Sequence, residues 1–508
     1  MTIEEQQSSY HKQTKAVLIT NLLEKEALLE EKKHEIEKLQ NILYKLAKQQ
    51  YGKKSEKLST LNTELPALPG FIQPVAEPQV EEQKAVEVPA HTRAVRKPRD
   101  FSQLPHNRIV CEPDNKICPC CNRELSCIGE DSSQELEHQP AKMFINVYVR
   151  PKYACNHCKE AGVLQAELPP TAKPLERSIA GAGLLAQIIV SKYVDHLPLH
   201  RQEQIFERKG ISLPRALLSD WVAGTNEEYL YRLWLVLKGE VLKEKYLQAD
   251  ETTLKVQDGE VIGKCHTGYL WGACAVIRRL LFFEYAESRA GEVPKEIFKD
   301  FYGTMQTDLY AGYNVVLLPN KVQRIACLAH VRRKFIEAGK SCSKEANVVL
   351  TLIAEAYKVD NQYKSLSPPE RQAKRQLHVK PIFEKLEKYL RELSEKTLPR
   401  APLMEAISYT LKQWTEISRI LEDGTFQLDN NIIENKMRPI ALGRKNYLFA
   451  GSHEGAKRAA IIYSLFGTAK MHDVNPYEWL KDVLQRMRSH PVNKLAELLP
   501  HNWIKLNA

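Results

Sequence analysis

Tyr246-Leu-Gln-Ala-Asp250-Glu251-Thr-Thr-Leu-Lys-Val256 is the stretch on which the fold turns. Its Tyr, Leu, Thr and Val content predicts a β-strand with Asp250 inside it. His266 to Ile277 and Arg279 to Ala286 predict two more strands, and Val293 to Phe301 a short helix. Gly303-Thr-Met-Gln-Thr-Asp308 is then a fourth strand that ends in a second acid. Tyr310 to Tyr313 turns into a helix, Val322 to Ala326 is a fifth strand, and Leu328 to Ala338 is a basic helix carrying His330 and Arg333. Three antiparallel strands followed by helix, strand, helix, strand make an α/β sheet, with the strands of Asp250 and Asp308 adjacent at its centre.

Further on, Gln427 to Ser452 places one carboxylate, Glu434, among Ile432, Ile433 and Met437, and follows it with Arg438, Arg444 and Lys445. Asp429, Asn430 and Asn431 are N-cap residues, so a helix starts here with Glu434 in its first or second turn. Arg438, four residues on, shares the face of Glu434. An isolated pair of this kind reads as a surface ion pair. The element order, which is that of the ribonuclease-H-like fold, gives it another meaning. Asp250, Asp308 and Glu434, spaced 58 and 126 residues apart, then converge as hard oxygen ligands for Mg²⁺ or Mn²⁺. Two such ions activate a water or a 3′-hydroxyl and stabilise the leaving oxygen of a phosphodiester. Arg438, Arg444, Lys445, Lys457 and Arg458, with His330 and Arg333 on the basic helix, are the candidate DNA contacts. The chain has no G-x4-GK[ST] loop, G-x-S-x-G elbow or H-E-x-x-H pair to carry a rival chemistry.

The catalytic core is expected over 241–340 and 425–460, with 341–424 as a helical insertion of charged-faced helices. Residues 461–508 form a C-terminal helical region. Upstream, 166–240 is helical, and Arg201 to Lys209, Gly210, then Leu213 to Val222 has the rhythm of a helix-turn-helix.

Over 106–165, Cys118/Cys121 and Cys155/Cys158 form two C-x2-C pairs, the knuckle that brings two thiolates to a tetrahedral Zn²⁺. Phe144 to Val149 alternates like a strand leading into the second knuckle, and a hairpin must close the interval between the pairs. A redox pair is the competing reading, disfavoured because no βαβ pattern surrounds either motif. Cys120, His157, Cys111 and Cys127 are spare candidates. Residues 58–105 are a Pro-rich linker ending in the basic arm His91 to Arg99. Residues 1–57 carry Leu22, Leu29, Ile36 and Leu43 at every seventh position, with Leu18, Leu39 and Leu46 on the alternate seam. Lys25 and Lys32 interrupt that seam, and a short coiled coil is expected.

A chain of 508 residues needs several cores. Its net charge of +10 permits an anionic partner without proving one. No signal peptide is visible and the run Ile179 to Val190 is too short to span a bilayer. A cytoplasmic protein is therefore expected, with its 11 cysteines as thiols or metal ligands.

Taken together, these motifs resemble the large DDE transposases of the insertion-sequence sixty-six family over nearly the whole chain. The resemblance is carried by Tyr51-Gly52-Lys-Lys-Ser55-Glu56 after the heptads, the paired knuckles, Lys192 to Arg201, Ala249 to Thr252, Gly268-Tyr-Leu-Trp271, Thr307 to Tyr313, Cys327 to Phe335, Asp429 to Glu434, and Phe449 to Ser452. It implies that Asp250, Asp308 and Glu434 are the acidic triad and that Zn²⁺ binds Cys118, Cys121, Cys155 and Cys158. It further implies that N-terminal regions recognise the element's terminal repeats. The expected activity is cleavage at those ends and joining of 3′-ends to target DNA, by a homodimer or higher oligomer and with accessory proteins of the same element as candidate partners. A nuclease or resolvase that cuts without joining, and a non-catalytic DNA-binding regulator, are the rival classes.

Overall fold

A computed structural model describes residues 102–505, apart from 103, 119, 140–141, 155–156, 158–162, 177, 258–262, 309, 318–320 and 340–342. The heptads of 1–57, the linker as far as 101 with its basic arm, and Cys155 and Cys158 lie outside the described residues.

Four strands form the first sheet: β1 (His106–Val110), β2 (Ser126–Gln139), β3 (Lys142–Ala154) and β4 (Val163–Gln165). β3 is its centre, parallel to β1 and antiparallel to β2 and β4. The β2–β3 hairpin pairs Ser126 with Ala154, so the chain a few residues after Cys121 runs beside the end of β3. Two buried carboxylates bolt β2 to the helical region that succeeds the sheet. Glu137 accepts the Leu184 amide at 3.0 Å, serving the N-terminus of the next helix, whose own cap position is a glycine without a side chain. Glu135 accepts the Lys173 amide and the Tyr148 hydroxyl.

Four helices come next, α1 (Ala182–Tyr193), α2 (Leu199–Arg208), α3 (Arg215–Thr225) and α4 (Tyr231–Leu242). The α2–α3 turn passes through Gly210 at φ 74°, a left-handed conformation that glycine adopts without penalty. Glu203 of α2 accepts the Arg215 amide at the start of α3.

The second sheet contains β5 (Tyr246–Gln257), β6 (Cys265–Ala275), β7 (Leu280–Ala286), β8 (Gly303–Thr307) and β9 (Val322–Ala326), in the order β7-β6-β5-β8-β9. β5 to β7 form an antiparallel meander, while β8 runs parallel to β5 and β9 parallel to β8. The helix between β7 and β8, α5 (Glu292–Ile297), is shorter than its apolar pattern predicts, and Tyr310 leads into a 3₁₀ turn. Gly303 (φ 149°) opens β8 so close to Lys245 that a Cβ would collide with the Lys245 carbonyl. The basic helix α6 (Leu328–Ala338) follows β9.

The helices α7 (Ser343–Gln362), α8 (Pro368–Lys374), α9 (Lys380–Lys396), α10 (Pro402–Leu411) and α11 (Trp414–Ser418) follow, and all but α8 share an apolar cluster with α6, separate from the main one. At its base Arg375, fully buried, uses all five donors. They go to both oxygens of Asp360 and to the carbonyls of Ile420, Asp423 and Phe426.

α12 (Asn431–Tyr447), α13 (His453–Met471) and α14 (Pro476–Arg486) complete the chain. α12 buries Ile433, Met437 and Ile440 against β5 and β6, at a spacing that keeps them on one face; each contributes about 1.5–3 kcal/mol. α13 spans residue 460 unbroken and covers the edge strand β7. Ser464 and Thr468, one turn apart, accept the amides of Phe283 (2.7 Å) and Leu281 (3.1 Å). The outward amides of Leu281 and Phe283 are thereby satisfied without another strand. Among the described residues no helix is long and apolar enough to cross a membrane.

Candidate functional site

The parallel pairing of β5 with β8 decides where the acids go. Gln248 pairs with Gln306, and Asp250 and Asp308 each lie two residues further on. The strand period of two therefore puts both on one face at one level. They stand where the strand order turns away on either side, the position at which α/β sheets open a crevice. α12 brings Glu434 to the same place in its first turn. A cleft of about 570 Å³ is lined by Asp250, Asp308 and Glu434, with Glu251, Thr252, Arg289, His330, Arg333, Asn435 and Arg438 among its walls.

Each acid is held. Asp250 Oδ1 accepts the Glu251 amide at 2.9 Å and Asp308 Oδ1 the Tyr310 amide at 3.0 Å. Arg324 donates to the Asp308 carbonyl and to Thr307 Oγ1 from beneath. Glu434 lies 3.8 Å from His330 Nε2 through one oxygen and 3.8 Å from Arg333 Nη2 through the other, too far for hydrogen bonds. The expected capping amide also behaves differently: Asn430 occupies the N-cap but is buried without using its side chain there, and Asp429 accepts the Asn431 amide instead.

Burial pushes the Asp250 carboxyl up to about 8, reinforced by the charges of Glu251, Asp308 and Glu434. Burial also raises Glu251 and lowers His330, the latter against the pull of Glu434. A desolvated group of carboxylates stays ionised only beside a compensating cation. Glu434 Oε1 is buried without a hydrogen-bond partner, and the three carboxylates offer only oxygen. That donor set fits a hard divalent ion. Cys327 Sγ and a His330 nitrogen lie within 4.8 Å of a Glu434 oxygen and of each other. The thiol, however, is pushed up to about 12 by burial and accepts the Asn430 amide.

The basic candidates separate. His330, Arg333 and Arg438 line the cleft, whereas Arg444, Lys445, Lys457 and Arg458 do not. Arg444 is instead tied to β5 through Thr252 Oγ1 (3.0 Å), Thr253 Oγ1 (2.9 Å) and the Thr253 carbonyl. Lys457 pairs with Glu454 at 2.8 Å.

Sequence reasoning gave no role to Glu251, Arg289 or Tyr313. The Glu251 side chain is 3% exposed and accepts from Arg289 Nε (2.7 Å) and the Tyr313 hydroxyl (2.8 Å), while Arg289 stacks 3.7 Å over the Tyr310 ring. Adjacency to Asp250 was the available signal for Glu251, but strand alternation argued against it. Nothing in the spacing marked Arg289.

In the first sheet, Cys118 is buried and packs with Leu125, Tyr153 and Cys121. Its amide donates to the Arg123 carbonyl at 2.7 Å in a tight turn through Asn122 (φ 54°). His157, between the other two cysteines, sits 3.0 Å from Arg123. His157, the described residue of that segment, therefore lies beside the turn that follows Cys118.

Residues 177–458 match the family described as "Transposase IS66 family", residues 464–501 the "IS66 C-terminal element", and residues 115–159 the "zinc-finger binding domain of transposase IS66". The chain is 35% identical over 419 residues to the uncharacterized protein y4jD of Sinorhizobium fredii, covering 79% of this chain and 80% of that one. It is 32% identical over 496 residues to y4hP of the same organism, covering 91% and 88%.

Proposed function

We propose, from the premise that this chain belongs to the IS66 transposase family, that it cleaves DNA at the ends of an insertion sequence and joins the freed 3′-ends to target DNA. One observation carries the reading: two carboxylates, each two residues beyond the Gln248–Gln306 register pair of β5 and β8, and a helix carboxylate open into one cleft with arginines on its rim. The sheet order and the two parallel strands after the meander support a ribonuclease-H-like core.

A divalent ion held by Asp250, Asp308 and Glu434 would supply Lewis-acid activation of the attacking hydroxyl and of the leaving oxygen. The chain's own residues do the rest. Asp250 and Asp308, fixed by neighbouring amides, offer carboxylates whose direction costs nothing to set during the reaction. Arg333 and Arg438 hold a phosphodiester against those acids, and Arg289 orients Glu251 behind Asp250. Lys445, Lys457 and Arg458, outside the cleft, track the phosphates further along. The knuckle cysteines hold a structural Zn²⁺, the first sheet and α2–α3 contact element ends, and the N-terminal heptads make the chain dimeric.

The test is strand transfer in vitro on DNA bearing the element's own ends, with Mg²⁺ or Mn²⁺, beside Glu434→Gln. Joined product from the parent and none from the variant is expected. Cleavage without joining would replace the transposase with a nuclease. Binding of ends with no chemistry, even after the element's other proteins are added, would leave a regulator.

A further inference from the structure

Behind the acids runs a second row of side chains. Gln248 stands two residues before Asp250 and Gln306 two before Asp308, and the two are register partners. Both are fully buried, and Tyr246 is nearly so. Gln248 Nε2 donates to Gln306 Oε1 (2.9 Å) and to the Asp429 carbonyl (2.8 Å), while its Oε1 accepts the Ile433 amide (3.2 Å). Gln306 Nε2 donates to the Gln427 carbonyl (2.9 Å). The Tyr246 hydroxyl donates to Gln306 Oε1 (2.5 Å) and accepts the Gln427 amide (3.1 Å). Four main-chain groups between Gln427 and Ile433 are thereby fastened to the two central strands, immediately before Glu434.

Neither glutamine lines the cleft, and a neutral amide so enclosed neither transfers a proton nor meets substrate. What it does is present donor and acceptor on one rigid plane, which leucine, glutamate or lysine cannot do. We propose that Gln248 and Gln306 are positioning residues of the carboxylate site. They convert the register of β5 and β8 into the place of Glu434 opposite Asp250 and Asp308, and so set the affinity of the site for a divalent cation. The inference rests on the reading of those three acids as cation ligands.

The test titrates the full chain with Mn²⁺, read by the paramagnetic resonance signal of the free ion, and follows hydrogen exchange over residues 427–434. The variants are Gln248→Leu, Gln306→Leu and the milder Tyr246→Phe, with Leu386→Ala in the insertion core as a control for general destabilisation. Each glutamine variant should bind Mn²⁺ at least tenfold more weakly, and Gln248→Leu should exchange the Ile433 amide at least tenfold faster. Leu386→Ala should change neither. If the leucine variants do not fold, Tyr246→Phe decides, with about threefold weaker Mn²⁺ binding and a faster Gln427 amide expected. Folded glutamine variants that bind Mn²⁺ within twofold of the parent, or an unchanged Tyr246→Phe in their absence, overturn the proposal. A parent that binds Mn²⁺ no better than Asp250→Asn refutes the cation reading instead. The clamp is then judged on exchange alone, and an unchanged Ile433 amide sinks it.

Discussion

Gly272→Ala should disable the site without touching any acid. Gly272 is the register partner of Asp250 on one side and of Phe283 on the other. A Cβ there would stand 2.6 Å from the Phe283 ring and 2.9 Å from Met437 Cε. Carbon contacts settle at about 3.5–4 Å, so about 1 Å must be found. The Met437 methyl can turn, but Met437 is itself buried against the sheet, so part of the displacement passes to α12. The Phe283 ring is buried, and its main chain is held by Trp234 Nε1 (3.1 Å) and Ser464 Oγ (2.7 Å). Overpacking of this kind costs about 1–3 kcal/mol. Part of the relief comes from lifting α12, whose Met437 is one turn beyond Glu434, and a displacement of about 1 Å costs on the order of 10²-fold in rate. Melting temperature, Mn²⁺ affinity and cleavage of a labelled end would be measured beside Gly239→Ala, a helical glycine with open space around its Cβ. That control should be neutral or stabilising by up to about 1 kcal/mol. A Gly272→Ala chain that melts, binds Mn²⁺ and cleaves like the parent would mean slack between α12 and β6, and the packing argument for the position of Glu434 would fail.

Asp360→Asn strips the counter-charge from two buried guanidiniums and should destabilise the insertion locally by about 3–5 kcal/mol, read as faster amide exchange in α7 to α9. Burial raises the Asp360 carboxyl, but hydrogen bonds from Arg375 and Arg371 outweigh it and hold the group below its ordinary value. Its contribution is therefore full above the unfolded pKa of about 3.9 and lost as pH falls through the folded value; the gap between parent and variant should close in acid, and a pH-independent gap would refute the ion-pair account. Lys457→Ala should weaken DNA binding uniformly and lower the salt slope by about 1. Arg444→Ala, which cuts α12 from Thr252 and Thr253, should instead lower the cleavage rate at saturating DNA; a pure binding defect in both would return Arg444 to the phosphate contacts. Chelation should release one Zn²⁺ per chain and loosen exchange in β1 to β4 while leaving β5 to β9 protected, an expectation that metal analysis of the purified chain checks directly.

Much of the α/β core was legible in the residues because its elements are encoded locally. The apolar content of Tyr246–Val256 marks a strand, Gly303 begins another, and Val322–Ala326 and Leu328–Ala338 have the limits the pattern predicts. Asp250 and Asp308 could be placed on neighbouring strands because connection order restricts which strands are adjacent. The C-x2-C spacing of Cys118 and Cys121 is likewise a local pattern. What local pattern cannot encode is the partner across a hundred residues. Gln248 and Gln306 read as ordinary strand residues until the chain at 427–433 lies against them, and Arg375 reads as one charge on a helical face until Asp360 and three carbonyls enclose it. Arg444 looked like a phosphate contact on charge alone, and only the approach of α12 to β5 commits it to Thr252 and Thr253. The sequence by itself determined the strands of the second sheet, the helices α6 and α12 and the acids at the cleft, because propensity and period act over a few residues. Tertiary structure alone decided which polar groups are buried together and hence which remain at the cleft, because hydrogen bonding and desolvation depend on neighbours that only folding supplies.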